Sequence, residues 1–133
     1  MYYFAYGSNL NRKQMAERCP GSKPVFRATL PNHKLVFTGW SRKWRGGTAT
    51  VRPAQGAKVL GGVYEVSEGD LKKLDGFEDV PQASNRVMKN VVKDGGDWVE
   101  VVLYVKKEPA EETKPSPDYL TLVKQGYKDW RMF

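Results

Sequence analysis

The sequence predicts an α+β domain with a largely antiparallel or mixed sheet. Two observations carry this. Short runs rich in β-branched and aromatic residues recur between clusters of Pro, Gly and Asn, and a hairpin signal joins the last two. Three helix starts with capping chemistry are interspersed among them, at Asn11, Ser67 and Ser116. About seven strands and three short helices are expected. A sheet of this kind can curl into a barrel. The 133 residues fit one domain, 1–133, with no internal repeat or linker.

In chain order, Tyr2–Tyr6 is aromatic and reads as a strand ending at Gly7. The turn Ser8-Asn9-Leu10-Asn11 follows, with Asn11 as N-cap of a helix over Arg12–Arg18 and Pro20-Gly21 as its stop. Val25–Leu30 and Lys34–Trp40 read as strands separated by Pro31-Asn32, which leaves His33 in a turn. Ser41–Gly47 is polar, basic and glycine-rich, as loops are. Thr48–Arg52 is a short strand ended by Pro53. Val59–Val66 is another, and Gly61-Gly62 within it marks a bulge or a close backbone approach. Ser67 and Asp70 form a capping box for a helix with Leu71, Leu74 and Phe77 on one face. Arg86–Lys93 and Trp98–Lys106 are strands joined by Asp94-Gly95-Gly96-Asp97. The charged segment Lys107–Pro115 is a surface loop. Ser116-Pro117-Asp118 opens a last helix with Leu120, Val123 and Tyr127 as its apolar stripe.

Composition narrows the function. Apolar residues are 40% and charged residues 28%, so the chain is not a disordered one. No apolar run approaches the ~20 residues that span a bilayer, so no membrane partner is expected. The first residues show neither a basic region nor a long apolar one, unlike a signal peptide. One cysteine, Cys19, excludes an internal disulfide, and with the lone His33 it makes a His/Cys metal cage implausible. Cys19, between a short helix and Pro20, reads as a packing residue. A cytoplasmic protein without metal or cofactor is the expectation. The net charge of +7 is uneven: residues 1–53 carry +9 and the remainder −2. A basic half can attract small anions or nucleic acid, or simply be a solvated face. Arg42, Lys43 and Arg45 beside Trp40 and Trp44 form its densest cluster. No RNA-binding aromatic motif, zinc finger or heptad run accompanies it, which argues against nucleic acid as the partner.

Two segments could carry chemistry. In Tyr6-Gly7-Ser8-Asn9, between strand and helix, glycine permits close approach and successive amides could cradle negative charge. A plain strand–helix turn is the simpler reading of four residues. Glu78 ends the second helix, where the helix dipole disfavours a carboxylate. Asp75 and Asp79 add like charge, and both effects would raise its pKa toward that of a general base or acid. By spacing alone, a solvent-exposed Glu is again the simpler reading.

Longer motifs add to these. Tyr3-Phe4-Ala5-Tyr6-Gly7-Ser8-Asn9-Leu10 resembles the N-terminal signature of the gamma-glutamylcyclotransferase family. Trp44-Arg45-Gly46-Gly47-Thr48-Ala49-Thr50 resembles its Trp-x-Gly-Gly-x-Ala-Thr segment, and Pro115-Ser116-Pro117-Asp118-Tyr119 its Pro-Ser-x-x-Tyr segment. Gly62 to Val66 with Leu71 to Val80 resembles the strand and helix that deliver the family's catalytic glutamate. The resemblance spans essentially the whole chain. It implies a small mixed β-barrel with flanking short helices. It places the catalytic Glu on Glu78, the substrate-binding loop on Tyr3, Phe4, Ala5, Tyr6, Gly7 and Ser8, and a pocket-closing tyrosine on Tyr119. Two positions depart from the family pattern. Asp79 stands where Gly is common after the glutamate, and Asn85 where Tyr is common seven residues past it.

The resemblance also implies the reaction. The α-amine of a γ-glutamyl group attacks its own γ-carbonyl, forming 5-oxoproline and releasing the attached amine. The partner would be a small γ-glutamyl molecule, and no cofactor is needed. Two further readings stay open: the same fold acting on or binding a different small amide, and a basic nucleic-acid-binding module. The leaving amine and the oligomeric state are not legible.

Overall fold

A computed structural model describes residues 1–107 and 111–132. Residues 108–110, part of the expected surface loop, lie outside them. The described chain runs β1 (Tyr2–Ala5), a 3-10 turn (Ser8–Leu10), α1 (Arg12–Arg18), β2 (Lys23–Ser41), β3 (Gly46–Glu65), α2 (Glu68–Phe77), β4 (Ser84–Lys93), β5 (Trp98–Lys106) and α3 (Pro117–Asp129). The strands close into a barrel in the order β1-β3-β2-β4-β5. All pairs are antiparallel except β1 with β5, which meet in parallel at Tyr3 and Val102.

The strand count differs from expectation. Val25–Leu30 and Lys34–Trp40 belong to one 19-residue strand, and Thr48–Arg52 and Val59–Val66 to one of 20 residues that ends at Glu65. The prolines do not end these strands because they sit where the ladder is already irregular. Pro31 faces Lys58, the next pair is His33 with Pro53, and the register shifts between them. A proline lacks only the N–H that such a bulge leaves unused. His33 therefore lies in a strand, with Nδ1 2.8 Å from the Pro31 carbonyl oxygen. Ser41–Gly47 is the end of the β2–β3 hairpin.

Helix starts follow local chemistry. Asn11 accepts the Gln14 N–H, Ser67 and Asp70 form a reciprocal capping box, and Ser116 accepts the Tyr119 N–H with Pro117 leading the helix. On α2, Leu71 and Leu74 are buried, but Phe77 is 54% exposed and leaves the predicted face. On α3 the fully buried residues are Tyr119, Val123 and Gly126; Tyr127 of the predicted stripe packs half-buried against the core, and Leu120 is half-buried.

Alternation along the strands makes two cores. Phe4, Val51, Val63, Val91, Val101 and Leu103 fill the barrel. Tyr3, Ala5, Tyr64, Val102 and Tyr104 face outward and pack against Leu10, Met15, Cys19, Leu71, Leu74 and Trp130. Cys19 is fully buried there, as a packing residue. Gly61 and Gly62 allow close approach: an added Cβ would run into Phe4 at the first and the Trp130 ring at the second. No helix among the described residues is long and apolar enough to cross a membrane.

Candidate active site

At one end of the barrel a cavity of about 380 Å³ opens between the turn after β1, the β2–β3 hairpin and the helix ends. Tyr3, Tyr6, Gly7, Ser8, Asn9, Arg18, Ser41, Lys43, Trp44, Thr48, Ala49, Phe77, Glu78, Tyr104 and Tyr119 line it. The structure thus gathers Glu78, Tyr119 and four of the six signature residues. Phe4 and Ala5 are the exceptions. Phe4 points into the barrel and Ala5 packs beneath the helices, both fully shielded. They support the signature strand without reaching the cavity.

Glu78 is the C-cap of α2, and its N–H donates to Leu74 O at 2.8 Å. Its side chain is half-buried and no hydrogen bond from the described residues anchors the carboxylate. Burial raises its pKa, while the positive charges of Arg18 and Lys106 oppose the rise. The direction matches the sequence reading, but the cause is desolvation rather than Asp75 and Asp79. Asp75 is committed elsewhere. Arg86 grips it with Nε at 3.1 Å and Nη2 at 2.6 Å, and the Tyr104 hydroxyl donates to it at 2.8 Å. Burial pushes Asp75 up, but Arg86 and Tyr104 outweigh it and hold the carboxyl below its ordinary value. This cluster ties α2 to β4 and β5, and so fixes the helix end that carries Glu78. Asp79 is exposed with φ +54, the left-handed region that glycine occupies most easily. The departure at this position therefore changes backbone strain and leaves the cavity lining alone.

Tyrosine hydroxyls surround the carboxylate. Tyr3 accepts a bond from Asn9 Nδ2 at 3.0 Å, and Asn9 is in turn held by Gln14 and Arg18. The Tyr6 hydroxyl donates to the Tyr104 carbonyl. Tyr119 is buried between Phe37 and Trp44, at ring distances of 6.2 and 5.7 Å. Its oxygen accepts the Ala49 N–H at 3.0 Å. Burial and the nearby Glu78 charge raise all three phenols, Tyr119 to about 12. All three are therefore neutral hydrogen-bonding groups at pH 7.

Two sequence motifs meet here. A Cβ on Gly46 would lie 2.8 Å from Lys114 O and Ser116 N, and one on Gly47 2.7 Å from Thr113 O. The glycine pair lets the segment before α3 lie on the hairpin, with Gly47 N–H bonded to Lys114 O at 3.1 Å. That contact sets Tyr119 against Ala49. At Gly7 the need is also for space: φ is −117°, and an added Cβ would press on Ala49 Cβ at 3.0 Å and Tyr119 Oη at 3.4 Å. Asn85 lies on β4 opposite Val105, exposed and outside the lining.

Sequence reasoning missed Arg18, Lys43 and Phe77 as lining residues. Lys43 was visible only as part of a charge cluster. Phe77 stands at the rim with the Arg18 guanidinium 4.3 Å above its ring.

A small α+β barrel with a lone carboxylate in a tyrosine-lined cavity defines the class, a cyclotransferase-type enzyme. The family model for gamma-glutamyl cyclotransferases, AIG2-like, matches residues 3–131, and the chain belongs to that family. It is 31% identical to a human gamma-glutamylcyclotransferase over 132 residues, 96% of this chain and 70% of the relative. The mouse protein of the same name is 30% identical over the same shares. A solved structure of a gamma-glutamyl cyclotransferase superposes with a TM-score of 0.92 at 29% identity, covering 97% of this chain and 79% of that one.

Proposed function

We propose that this protein is a γ-glutamyl cyclotransferase acting by intramolecular aminolysis. The α-amine attacks the γ-carbonyl of the same glutamyl group. The new C–N bond closes a five-membered lactam, the original amide C–N bond breaks, and 5-oxoproline and a free amine leave. The observation that carries this is Glu78: a half-buried carboxylate with raised pKa, unanchored, inside the cavity. The α-amine is mostly protonated at neutral pH and must lose a proton to attack. Glu78 accepts that proton and returns it to the departing nitrogen, a transfer worth roughly 10²–10⁴-fold. The cavity's other task is to hold the substrate bent, since oriented ring closures reach effective molarities of ~10⁵ M or more. Neutral Tyr3 and Tyr119 present hydroxyls to substrate oxygens, and Arg18 and Lys43 attract its carboxylate.

The same reading takes Tyr3, Tyr6, Gly7, Ser8 and Tyr119 as substrate-binding. It takes the chain as one domain working in the cytoplasm on a small molecule. The test is 5-oxoproline release from γ-glutamyl dipeptides and γ-glutamyl amines, glutathione included. Wild type should form the lactam, and Glu78→Gln, which keeps shape but accepts no proton, should lose at least ~10² in turnover. A panel that yields no lactam, or a folded Glu78→Gln of near wild-type activity, overturns the reading.

A further inference from the structure

Lys106 is the last residue of β5, and its side chain leaves its own strand. Nζ donates to Thr38 O at 2.7 Å and to Thr48 O at 3.0 Å. Its backbone N–H donates to Thr50 Oγ1 at 3.0 Å. Thr38 and Thr48 pair with each other across β2 and β3, and the register shifts between Thr38 and Ser41. The ammonium therefore sits on the last regular rung before the hairpin enters the cavity wall. In the ladders described, β5 pairs with β1 and β4 but with neither β2 nor β3, so this side chain is a cross-link the sheet does not supply. Two of its three N–H donors are used on carbonyls. The charge also acts on Glu78, which feels Lys106 as an opposing positive group.

We propose that Lys106 is a positioning residue for the cyclisation: it pins the hairpin that brings Ser41, Lys43, Trp44 and Thr48 to the cavity, and the charge so held contributes to the field at the Glu78 carboxylate. The inference rests on Glu78 being the proton carrier. Burial lowers the Lys106 pKa to about 8, with Glu78 resisting the fall. The cross-link thus carries its charge at neutral pH and loses it just above. The other ionisable groups lining the cavity are Arg18 of α1, Tyr3 of β1, Tyr6 just after it, Tyr104 of β5, Lys43 of the hairpin and Tyr119 of α3. Glu112, bridged to Thr38, is paired with Arg52 at 3.5 Å. Of the cations among them, Arg18 and Lys106 are the two that act on Glu78. Lys106 is the one whose charge burial weakens.

The experiment follows the Glu78 carboxyl carbon by NMR in protein labelled at glutamate Cδ, with Glu78→Gln to assign the signal. In wild type the signal should show its own titration and a second, smaller step near pH 8 as Lys106 loses its proton. In Lys106→Met the second step should vanish and the carboxyl should titrate at least about half a pH unit higher, as loss of a nearby opposite charge requires. The acid limb of the kcat/KM profile should move alike, and KM should rise as the hairpin loosens. Lys106→Arg should keep the acid limb in place. A wild-type signal with no second step, which needs no variant to fold, overturns the proposal. So does a folded Lys106→Met with an unmoved carboxyl titration. A shifted titration in a protein that forms no lactam would uphold the positioning role and remove the proposed reaction instead.

Discussion

Tyr119→Phe is the sharpest test of how the cavity is built, because one oxygen is removed and the ring stays. The ring keeps its edge contacts with Phe37 and Trp44. The oxygen takes with it the acceptor for the Ala49 N–H at 3.0 Å. A buried donor left unpaired costs about 1–3 kcal/mol. Water in the cavity can reach the half-buried Ala49, so the lower end, about 1 kcal/mol, is the expected loss. For a chain of this size that is a fall in Tm of about 3–5 °C. Catalysis should suffer more. An oxygen that accepts an N–H bond still has its own proton to give, and that proton is available to a substrate oxygen. A donor that acts on developing charge is worth about 10²–10³ in kcat. Calorimetry and 5-oxoproline release on the same preparation read both effects. A variant with wild-type Tm would refute the hydrogen-bond accounting. One with wild-type Tm and kcat/KM would remove Tyr119 from the site.

Three further outcomes follow from the geometry. Gly7→Val should cut kcat/KM at least about tenfold and lower Tm, because its Cβ alone meets Ala49 at 3.0 Å and overpacking costs about 1–3 kcal/mol; full activity would mean the turn can yield. Glu78→Gln should melt higher than wild type at pH 7. Burial raises the folded carboxyl's pKa above its unfolded value, so stability falls as pH climbs between the two and the penalty persists at neutrality; the two proteins should converge in acid, and equal Tm at pH 7 would contradict the burial. Asn85→Tyr should leave the ratio of kcat/KM for large and small leaving amines unchanged, since Asn85 is exposed and outside the cavity; a changed ratio would put its side chain at the mouth.

What the sequence made legible is what short-range chemistry decides. The caps at Asn11, Ser67 and Ser116 and the strand Trp98–Lys106 need only neighbouring residues, and they stand as expected. The two long strands were hidden because prolines look like breaks until the register shift at Pro31 and His33 shows where their missing N–H groups fall. Phe77 looked like a core residue because i, i+3 spacing puts it near Leu71 and Leu74. It lies at the last turn of α2, past the surface that covers its neighbours, and pairs with Arg18 instead. Lys106 carried no local signal at all: its partners are 56 to 68 residues away.

The end of α2 shows why position along the chain does not assign a chemical role. Asp75, Glu78 and Asp79 are three carboxylates within one turn, and like-charge repulsion among them looked like the device that raises Glu78. The fold separates them by environment. Asp75 receives two bonds from Arg86 and one from Tyr104, and becomes a structural anion. Asp79 turns outward on a left-handed backbone. Of the three, Glu78 alone faces the cavity, partly shielded from water and given no hydrogen bond by the described residues that would hold its charge. Its proton affinity rises because its surroundings withhold solvation, while Arg18 and Lys106 limit how far it rises. A general base needs that balance, since full desolvation would leave it protonated and full pairing would leave it inert. The Arg86 cluster is thus part of the same design: by neutralising Asp75 it leaves desolvation and two cations to set the carboxylate that faces the cavity.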